Sequence, residues 1–449
     1  MTVTATPRVR VVVLNYDGGD MTIRCLEALH AVEWPPEALE IVLVDNASID
    51  GIVPIVERTM PSVRVVEHTH NVGFAGGCNL ALRDLEGVDY VALLNNDAIP
   101  DRNWLRPLVE TLGADAGIGA ACSKMVFAPA FVALTIECPE LFHDSDLGVR
   151  ISGLTLDGSE VWDHAQFADG CHRGETRGTG DEPVCWTAPR AEVRVPVEPG
   201  ADRADAEVAI ELSADVDKLV RLSVGGAAVE VKVGPDPQWY RVPAVGPSFD
   251  VINNVGSRLV LGGYGGDRGF LERDAGQYDE PADVFAWCGG AVLLSVRYLR
   301  EVGIFDDRYF MYYEDTDLSW RGQLAGWRYR YVPDSLVRHE HSATAEEGSL
   351  RRAHFVDRNR FATLARNAPW PMLGEAVYVY LRDTLVIVKH QVALPLLRRS
   401  RPSPRLALQR MRAFGAFVEM VPRQLATRRH QHVDGTTRRE LADRWAVPQ

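Results

Sequence analysis

The sequence predicts an α/β fold on a parallel sheet, with an inserted all-β sandwich and a helical C-terminal region. Buried apolar runs alternate with helical patterns near the N-terminus, which is typical of a parallel sheet. Short alternating segments separated by turn residues fill the middle of the chain, as in a sandwich. From Trp370 onward the sequence is helical and basic. We therefore expect four parts, at residues 1–127, 128–282, 283–369 and 370–449.

The first part reads as strand, helix, strand, strand, helix and strand. Its opening run, RVRVVVLN, is continuous and β-branched, as expected for a strand buried on both faces. The next segment has Asp17 as a candidate helix cap and apolar residues on one helical face. Polar side chains follow the strands, and the carboxyl ends of parallel strands form the ligand edge of such a sheet. The predicted strands are 8–15, 40–44, 63–67 and 91–94, and the predicted helices are 17–31 and 80–85.

The second part shows no helical pattern between Ala191 and Val245. Segments such as AEVAIELSA and KLVRLSV alternate apolar and polar residues and are separated by Gly, Pro and Asp. This spacing predicts a β-sandwich of jelly-roll type. The α/β pattern returns with FAWCGGAVLLS, a predicted strand over 285–295, followed by a short acidic helix start at DDRYFMYYEDTDLSWRGQ.

Composition narrows the class of protein. The seven cysteines include no CxxC pair, which favours a reducing compartment and argues against a cysteine zinc site. With neither a signal peptide nor a run of 18 apolar residues, we expect a cytoplasmic protein without a spanning helix. The net charge is −14, yet Lys389–Gln449 holds 13 Lys and Arg against 4 Asp and Glu. An acidic body with a basic tail argues against nucleic acid as a partner and permits contact with an anionic membrane.

Polar residues at the predicted strand ends suggest a nucleotide site. The carboxylate of Asp45 can accept the imide N–H of uracil or thymine, although an Asp there also suits a turn. Gly73, Gly76 and Gly77 leave backbone amides bare at a helix start, which suits a diphosphate or a sugar.

Two further groups suggest catalysis. Asp97 is a hard oxygen ligand for a divalent ion, and His339 could complete the shell or be structural. Asp315 lies among aromatic residues that could raise its proton affinity toward general-base duty. The alternative is that Glu314, Asp315 and Asp317 only favour the N-terminus of a helix.

These stretches together resemble the family 2 glycosyltransferases, inverting enzymes of the GT-A fold, and most of all the bacterial rhamnosyltransferase-like branch. The resemblance covers about 1–127 and 283–368, in the family's order, and leaves the sandwich outside. It is carried by VVVLNYDGGDMTIRCLEAL, IVLVDNASIDG, NVGFAGGCNLAL, YVALLNNDAIP, CGGAVLL, VGIFDDRYFMYYEDTDLSWR and YVPDSLVRHEHS.

The resemblance implies a role for each matching residue. Asp45 would bind the nucleotide base, Asp97 and His339 would hold Mg²⁺ or Mn²⁺, and Asp315 of the Glu314–Asp315 pair would be the catalytic base. Asn95 stands at the first position of the family's DxD element, where it brings no charge. The expected donor-binding set is Asn15, Asp45, Ser48, Asn71, Gly73, Gly76, Asn79, Asn95 and Asn96, and the expected acceptor or sugar-binding set is Gly289, Gly290, Trp320 and Arg321.

The implied reaction moves a sugar from a dTDP- or UDP-sugar, with dTDP-rhamnose one candidate, to a hydroxyl of a cell-envelope glycan or lipid-linked acceptor. Two alternatives are a non-catalytic carbohydrate-binding or scaffold protein and a sugar-nucleotide pyrophosphorylase. The latter needs a Lys-bearing loop after the first strand, and here no Lys or Arg follows until Arg24. The oligomeric state stays open.

The C-terminal region shows an apolar stripe beside a basic cluster. Such a pairing suits a helix that lies in the interface of an anionic bilayer. The alternative is packing on the catalytic domain or on a second subunit. The stripe comprises Val377, Tyr380, Leu381, Thr384, Leu385 and Val388, and the cluster comprises Arg398, Arg399, Arg401 and Arg405.

Overall fold

The computed structural model describes residues 6–138, 147–173, 184–201, 205–340, 349–431, 433 and 435–447. The chain divides into two compact units. The first unit comprises Met1–Ala128 and Ile252–Gln449, and the second comprises Pro129–Val251.

The first unit opens with alternating strands and helices, and it has a helix between the second and third strands where the sequence pattern predicts none. The strands are β1 (Val9–Asn15), β2 (Leu39–Asp45), β3 (Arg64–Glu67), β4 (Tyr90–Asn95), β5 (Ala98–Pro100) and β6 (Ile118–Phe127). The helices are α1 (Asp20–His30), α2 (Val53–Thr59), α3 (Gly73–Leu82) and α4 (Leu105–Ala114). The second predicted helix therefore begins earlier than expected, at the glycines themselves.

Strand β1 lies at the centre of this half of the sheet. It pairs in parallel with β2 on one side and β4 on the other. The register sets Asn15 opposite Asp45, and Leu14 opposite Asn95. The polar ends of three neighbouring strands therefore meet at one edge, where parallel sheets bind ligands.

Alternation of side chains along β1 explains why its apolar run is continuous. Val12 belongs to one hydrophobic cluster, whereas Val11 and Val13 belong to another on the opposite face of the sheet. Successive residues of a strand point to opposite faces, so a strand covered on both sides needs apolar residues throughout.

The second unit is built from antiparallel strands. They are β7 (Ala130–Glu137), β8 (Arg150–Leu156), β9 (Ser159–Glu160), β10 (Gln166–Phe167), β11 (Cys171–Arg173), β12 (Cys185–Thr187), β13 (Arg190–Val197), β14 (Glu207–Ser213), β15 (Lys218–Val224), β16 (Ala227–Val233) and β17 (Gln238–Pro243). One sheet has the order β10-β13-β7-β15-β16, and the other has the order β11-β12-β8-β14-β17 with β9 beside β8.

The two sheets of this unit share one hydrophobic core. Val132, Leu134 and Ile136 of β7 lie in the same buried cluster as Ile151 and Leu154 of β8. Inward residues alternate with outward ones, which is the packing of a β-sandwich.

The chain then returns to the first unit. Its strands are β18 (Ile252–Asn254), β19 (Ser257–Val260), β20 (Tyr264–Asp267), β21 (Ala282–Val284), β22 (Ala291–Ser295) and β23 (Arg328–His339), and its helices here are α5 (Val296–Val302) and α6 (Glu314–Leu324). The main sheet has the order β21-β23-β6-β22-β4-β1-β2-β3, with β18 on β6 and β5 on β23. Strand β22 is antiparallel to both of its neighbours, β4 and β6.

The return occurs earlier than the boundary predicted at residue 282. Strand β18 pairs with β6 of the main sheet. Lys124 of β6 also binds Asp274 at 2.5 Å and Asp279 at 2.9 Å. The segment 252–282 is tied to the main sheet by these long-range contacts, which the Gly-rich sequence does not reveal.

The predicted strand at 285–295 is shorter in the structure. Only Ala291–Ser295 forms a strand, and Gly289 and Gly290 lie in the turn before it. The amide of Asn95 donates to the Gly290 carbonyl at 3.0 Å. An added Cβ on Gly290 would lie 2.9 Å from the Met125 methyl carbon, so the close packing at this turn favours a residue without a side chain.

The C-terminal region is helical. Its elements are α7 (Leu350–Asn367), α8 (Trp370–Val388), a π-helical turn at Lys389–Ala393, α9 (Leu394–Leu397), α10 (Arg405–His430), α11 (Gly435–Trp445) and the short strand β24 (Ala446–Val447). Within the described ranges, no helix is long and apolar enough to cross a bilayer.

Helices α7 and α10 lie side by side in the same direction. Phe361 of α7 packs on Phe414 and Phe417, and Arg428 near the end of α10 donates to the Ala368 carbonyl at 2.7 Å, just past α7. Trp370 at the start of α8 lies beneath Arg428 near the end of α10. Helix α8 is therefore antiparallel to α7 and α10.

The predicted apolar stripe of α8 is split by this packing. Tyr380 and Thr384 are buried against the neighbouring helices, whereas Leu381 and Leu385 face outward. Val377 packs at the edge of the buried cluster. The interpretation of one membrane-facing stripe was therefore wrong for Tyr380 and Thr384. Helical periodicity identifies an apolar face of a helix but not the surface that packs against it.

Candidate active site

Asn15 organises the edge of the sheet. Its amide nitrogen donates to Asp45 Oδ1 at 3.0 Å, to Ser48 Oγ at 2.9 Å and to Asp50 Oδ2 at 3.1 Å. Its amide oxygen accepts from Thr22 Oγ1 at 2.7 Å and lies 3.3 Å from Asn96 Nδ2. One fully buried amide therefore fixes the loops that follow β1, β2 and β4.

Asp45 is buried and held on both carboxylate oxygens. Asn15 donates to Oδ1, and the Ser48 amide donates to Oδ2 at 3.1 Å. Each carboxylate oxygen has a second lone pair, so Asp45 retains capacity for an imide N–H. These two hydrogen bonds fix the orientation of the Asp45 carboxylate, and recognition of a base requires a fixed acceptor.

Asn71 and Gly73 shape the start of α3. Asn71 Oδ1 accepts from the Gly73 amide at 2.8 Å and from Asn46 Nδ2 at 3.0 Å. Gly73 has φ +75°, and an added Cβ would lie 2.2 Å from the Phe310 carbonyl oxygen. A Cβ on Gly76 would meet only the Val72 side chain. Gly73 therefore lets α3 begin against the loop that precedes the Glu314–Asp315 pair.

Asp97 and His339 lie together at the ends of two strands. His339 Nε2 is 3.0 Å from Asp97 Oδ1 and 3.2 Å from Asn95 Nδ2. His339 Nδ1 is 3.1 Å from Asn253 Oδ1. Because an amide oxygen can only accept, Nδ1 carries a proton here and Nε2 is left as the ring nitrogen with a lone pair when the imidazole is neutral.

This donor set fits a divalent cation. His339 Nε2 and Asp97 Oδ1 lie close enough to bind the same cation, and Asn253 supplies the outer hydrogen bond that metal-bound histidines commonly have. Among the described residues no group of three or more His, Cys, Asp and Glu side chains could hold a metal. Two protein ligands suit Mg²⁺ or Mn²⁺ when phosphate oxygens and water complete the shell.

The Glu314–Asp315 pair opens α6 in a buried setting. Burial raises the pKa of Asp315 to about 6, and Asp267 adds to the shift, while hydrogen bonds from the Thr316 and Gly289 amides oppose it. Those bonds measure 2.6 Å and 3.3 Å. Burial and then the Asp315 charge raise the pKa of Glu314 well above its usual value. Near neutral pH, Asp315 is therefore the carboxylate of the pair that can accept a proton.

A strained loop carries this pair. Phe310, Tyr312 and Tyr313 all have positive φ, at 65°, 66° and 70°. Buried Asn359 of α7 donates through Nδ2 to the carbonyls of Tyr309, Met311 and Tyr312, at 2.8, 2.9 and 2.8 Å. Left-handed backbone costs free energy at bulky residues, so its persistence requires such a clamp.

Contacts connect all of these groups into one site. The Gly289 amide donates to Asp315, its neighbour Gly290 accepts from the Asn95 amide, and Asn95 contacts His339. Asn96, next along the chain, donates to Thr22 Oγ1 at 3.0 Å beside the Asn15 amide. The candidate base, metal and nucleotide positions are thus contiguous.

Three predicted site residues have structural roles instead. Asn79 uses its amide to hold the backbone of Phe305, at 2.9 and 3.2 Å, and the side chain of Asp307. Trp320 is buried in a core cluster with its ring edge-on to Phe285. Arg321 binds Asp317 at 2.9 Å and the carbonyls of Val302 and Ile304. The polar groups of Asn79 and Arg321 bind other parts of the protein, and the Trp320 ring is enclosed in the core, so we remove the three residues from the donor and acceptor sets.

Three other residues belong to the site although the sequence did not single them out. Asn253 supports His339, Asp267 contributes to the raised pKa of Asp315, and Asn359 clamps the loop before it. The first two come from the segment that was predicted to be part of the insertion. An Asn-Asn pair ending a short apolar run, as at Val251–Asn254, is the signal that could have found Asn253.

Comparison with known proteins identifies the class. The model of glycosyl transferase family 2 matches residues 10–129, and that of glycosyl transferase family group 2 matches residues 269–388. These ranges contain the strand ends, His339 and the Glu314–Asp315 pair described above. The chain therefore belongs to the family 2 glycosyltransferases, and its main unit has their GT-A fold, as predicted.

Within the family the chain resembles rhamnosyltransferases. It is 29% identical over 195 residues to N-acetylglucosaminyl-diphospho-decaprenol L-rhamnosyltransferase from two strains of Mycobacterium tuberculosis, a match of 39% of this chain. The chain spans 62% of the length of these curated relatives.

Two solved structures share weaker likeness. A mannosyltransferase from Pyrobaculum calidifontis, in complex with GDP-Man and Mn²⁺, is 16% identical with a TM-score of 0.41, over 95% of this chain and 86% of the other. GalNAc-T7 with UDP, GalNAc and Mn²⁺ is 13% identical with a TM-score of 0.44, over 96% and 59%. At these TM-scores neither structure supports a conclusion about donor, metal or acceptor.

Proposed function

We propose that the protein transfers a sugar from a nucleoside-diphosphate donor to an acceptor hydroxyl with inversion at the anomeric carbon. One observation carries the proposal. Asp45, the Asp97–His339 pair and Asp315 are linked by a continuous series of hydrogen bonds through intervening residues at the carboxyl edge of one sheet, in a chain that belongs to family 2.

The donor would lie across the ends of β1, β2 and β4. Asp45 would accept the imide N–H that uracil and thymine share, so a UDP- or dTDP-sugar fits, and dTDP-rhamnose is the candidate that the relatives suggest. Asp97 and His339 would hold Mg²⁺ or Mn²⁺. When bound there, the cation would offset negative charge on the leaving diphosphate.

The acceptor would lie on the Asp315 side. The ionised Asp315 takes the proton of the acceptor hydroxyl, and the oxygen then forms a bond to C1 of the sugar. The bond from C1 to the diphosphate oxygen breaks, and the nucleoside diphosphate leaves with the electron pair. Attack from the face opposite the leaving group inverts the configuration at C1.

The acceptor is proposed to be a lipid-linked or cell-envelope glycan. The named relative acts on a sugar joined to diphospho-decaprenol, which is a membrane lipid. In this chain, the outer face of α8 and α9 exposes Leu385, Leu396 and Leu397, with Arg398 and Arg399 next in sequence. An apolar face with adjoining cations suits the surface of an anionic bilayer and supports the proposal that the protein acts at the cytoplasmic face of the membrane.

A donor panel tests the proposal. Release of free sugar or nucleotide is measured with dTDP-, UDP- and GDP-sugars, and the anomeric configuration of any product is read by NMR. We expect turnover of a dTDP- or UDP-sugar, strongly reduced in Asp315→Asn. Donor binding without release from any donor, at all metal concentrations, would support the carbohydrate-binding alternative instead.

A further inference from the structure

A second concave surface lies at the end of the C-terminal helices. It has a volume of about 340 Å³, which is within the range of small-ligand sites. The first turns of α7 and α10 line it, because those two helices run in the same direction and start at the same end. We call it the basic groove, defined by Arg351, His354, Arg405 and Arg412, with Leu350 and Leu408 on its rim.

The arginines of the basic groove have no ion-pair partner within the described part of the chain, whereas the charge of Asp357 acts on His354. None of the guanidiniums of Arg351, Arg405 and Arg412 makes an ion pair there. The start of α10 has no side-chain cap, so its first amides and its positive dipole end add to the potential. Asp357, one turn beyond His354, accepts a hydrogen bond from the Tyr380 hydroxyl at 3.0 Å and does not line the groove. Three arginines around one cavity favour a multiply charged anion.

The surroundings of the basic groove are apolar as well as cationic. Leu350 and Leu408 on its rim are 45% and 43% exposed, and Met411 on the next turn of α10 is 52% exposed. Exposed apolar side chains beside an anion site fit a ligand that joins a charged group to a hydrocarbon chain. A free phosphate or a nucleotide would make no use of them.

Helix α7 also links the basic groove to the catalytic loop. Phe355, adjacent to His354, stacks on Phe310 with ring centroids 5.1 Å apart. Arg352, adjacent to Arg351, lies 5.7 Å from the ring of Tyr312. The residues that line the groove and those that contact the loop before Asp315 thus alternate along the first turns of one helix.

We infer that the basic groove binds the diphosphate of an amphipathic, lipid-linked acceptor and so directs the attached sugar toward Asp315. This inference rests on the proposed function, which supplies the sugar transfer. The arginines would bind the diphosphate oxygens, and the rim leucines would contact the first units of the hydrocarbon chain.

Farnesyl diphosphate is the probe for this site. Its binding to the full-length protein is measured by calorimetry, alongside inorganic pyrophosphate, farnesol and phosphatidylglycerol vesicles. We expect the wild type to bind farnesyl diphosphate at least tenfold more tightly than pyrophosphate or farnesol. Arg405→Glu/Arg412→Glu should weaken that binding by at least about tenfold, because two attractive charges become repulsive.

The matched control is Arg423→Glu/Arg429→Glu, which makes the same charge change on exposed positions further along α10. It should bind farnesyl diphosphate like the wild type. Sugar release from the donor without acceptor should be equal in all three proteins, which shows that the active site is intact. If no protein releases sugar while the groove variant alone loses the probe, the proposed function fails and the binding site stands.

Two results would overturn the inference. One is equal binding of farnesyl diphosphate by the groove variant and the control. The other is a groove variant that loses only phosphatidylglycerol vesicles, since the arginines would then contact bilayer headgroups rather than an acceptor diphosphate.

Discussion

The ionisation of Asp315 is the residue-scale property on which the proposed chemistry depends. Burial raises its pKa to about 6, and Asp267 contributes a like charge. A base with that pKa is ionised at neutral pH and is still basic enough to accept a proton from a hydroxyl in the transition state. Burial and then the Asp315 charge raise the pKa of its neighbour Glu314 well above the usual value.

The rate should therefore depend on pH through Asp315. We expect kcat/KM to fall about tenfold per pH unit below pH 6, because the protonated base is inactive. Asp267→Asn removes a charge that raises this pKa, so the acid limb should move to lower pH. An acid limb that does not move in Asp267→Asn would mean that another group titrates.

Substitution of each acid distinguishes their roles. Asp315→Asn should lower kcat by roughly 10²–10⁴-fold with donor binding little changed. The folded state holds the Asp315 proton more tightly than the unfolded chain, so ionisation of Asp315 lowers stability as the pH rises through about 6. Asp315→Asn should therefore keep its melting temperature at pH 7.5. If Glu314→Gln gives the larger loss of rate, Glu314 is the base.

The Asp97–His339 pair makes a second residue-scale prediction. EDTA should abolish transfer, and Mg²⁺ or Mn²⁺ should restore it. Asp97→Ala should be inactive but folded, and Mn²⁺ with a nucleoside diphosphate should no longer raise its melting temperature. Full activity in the presence of chelator would exclude a metal role for both residues.

At the scale of elements, α7 packs in the core and also holds the loop before the Glu314–Asp315 pair. Its Asn359 holds three carbonyls of a loop in which three bulky residues have positive φ. The start of the same helix contributes to the basic groove, and its last carbonyls accept from Arg428 and Arg438. Two arginines at a helix C-terminus complement its negative dipole end. Part of the basic tail is therefore structural.

Asn359→Ala should separate positioning from stability. Loss of three hydrogen bonds frees the strained loop, so kcat should fall by roughly 10-fold or more while the KM for donor changes little. The acid limb should also move to lower pH as Asp315 becomes hydrated.

Asn367→Ala is the control for this change, since Asn367 is equally buried on α7 but bonds to Asp317 at 2.9 Å. It should lower the melting temperature without lowering kcat of the folded enzyme. Equal losses of kcat in both variants would show that Asn359 has only a structural role.

At the scale of the whole molecule, the C-terminal helices are part of the main unit. Phe361, Tyr380, Phe417 and Trp445 share one apolar cluster with Phe285. A truncation near Pro369 would expose this cluster, so it cannot test membrane binding. Substitutions on the outer face leave the core intact and are the appropriate test.

Leu385→Glu/Leu397→Glu should abolish co-sedimentation with anionic liposomes at low salt. These side chains are 70% and 80% exposed, so the change removes apolar contact and adds repulsion without affecting packing. Leu219→Glu, at an exposed leucine of the sandwich, is the control and should bind like the wild type. Retained binding by the double variant would assign membrane contact to another surface or to none.

The sequence by itself determined the elements and the chemistry of the sheet edge. Periodicity identified four strands and two helices of the first part and the sandwich strands, but not α2 or α4. Burial on one face produces a period of two in a strand and of 3.6 in a helix, and burial on both faces produces an unbroken apolar run. Polar residues that directly follow such runs located Asn15, Asp45 and Asn95, whose positions at one edge follow from parallel pairing.

Only the tertiary structure decided which distant segments meet. Asn79, Trp320 and Arg321 are residue types that are common in binding sites. Here the polar groups of Asn79 and Arg321 bind the protein's own backbone and side chains, and the Trp320 ring packs in the core. Asn253, Asp267 and Asn359 reach the site through strand pairing and helix packing across long stretches of chain. A local sequence pattern shows whether a residue's own helix or strand is buried. The contacts that the residue makes with distant segments depend on how the elements pack, and no local pattern of a single sequence specifies this packing.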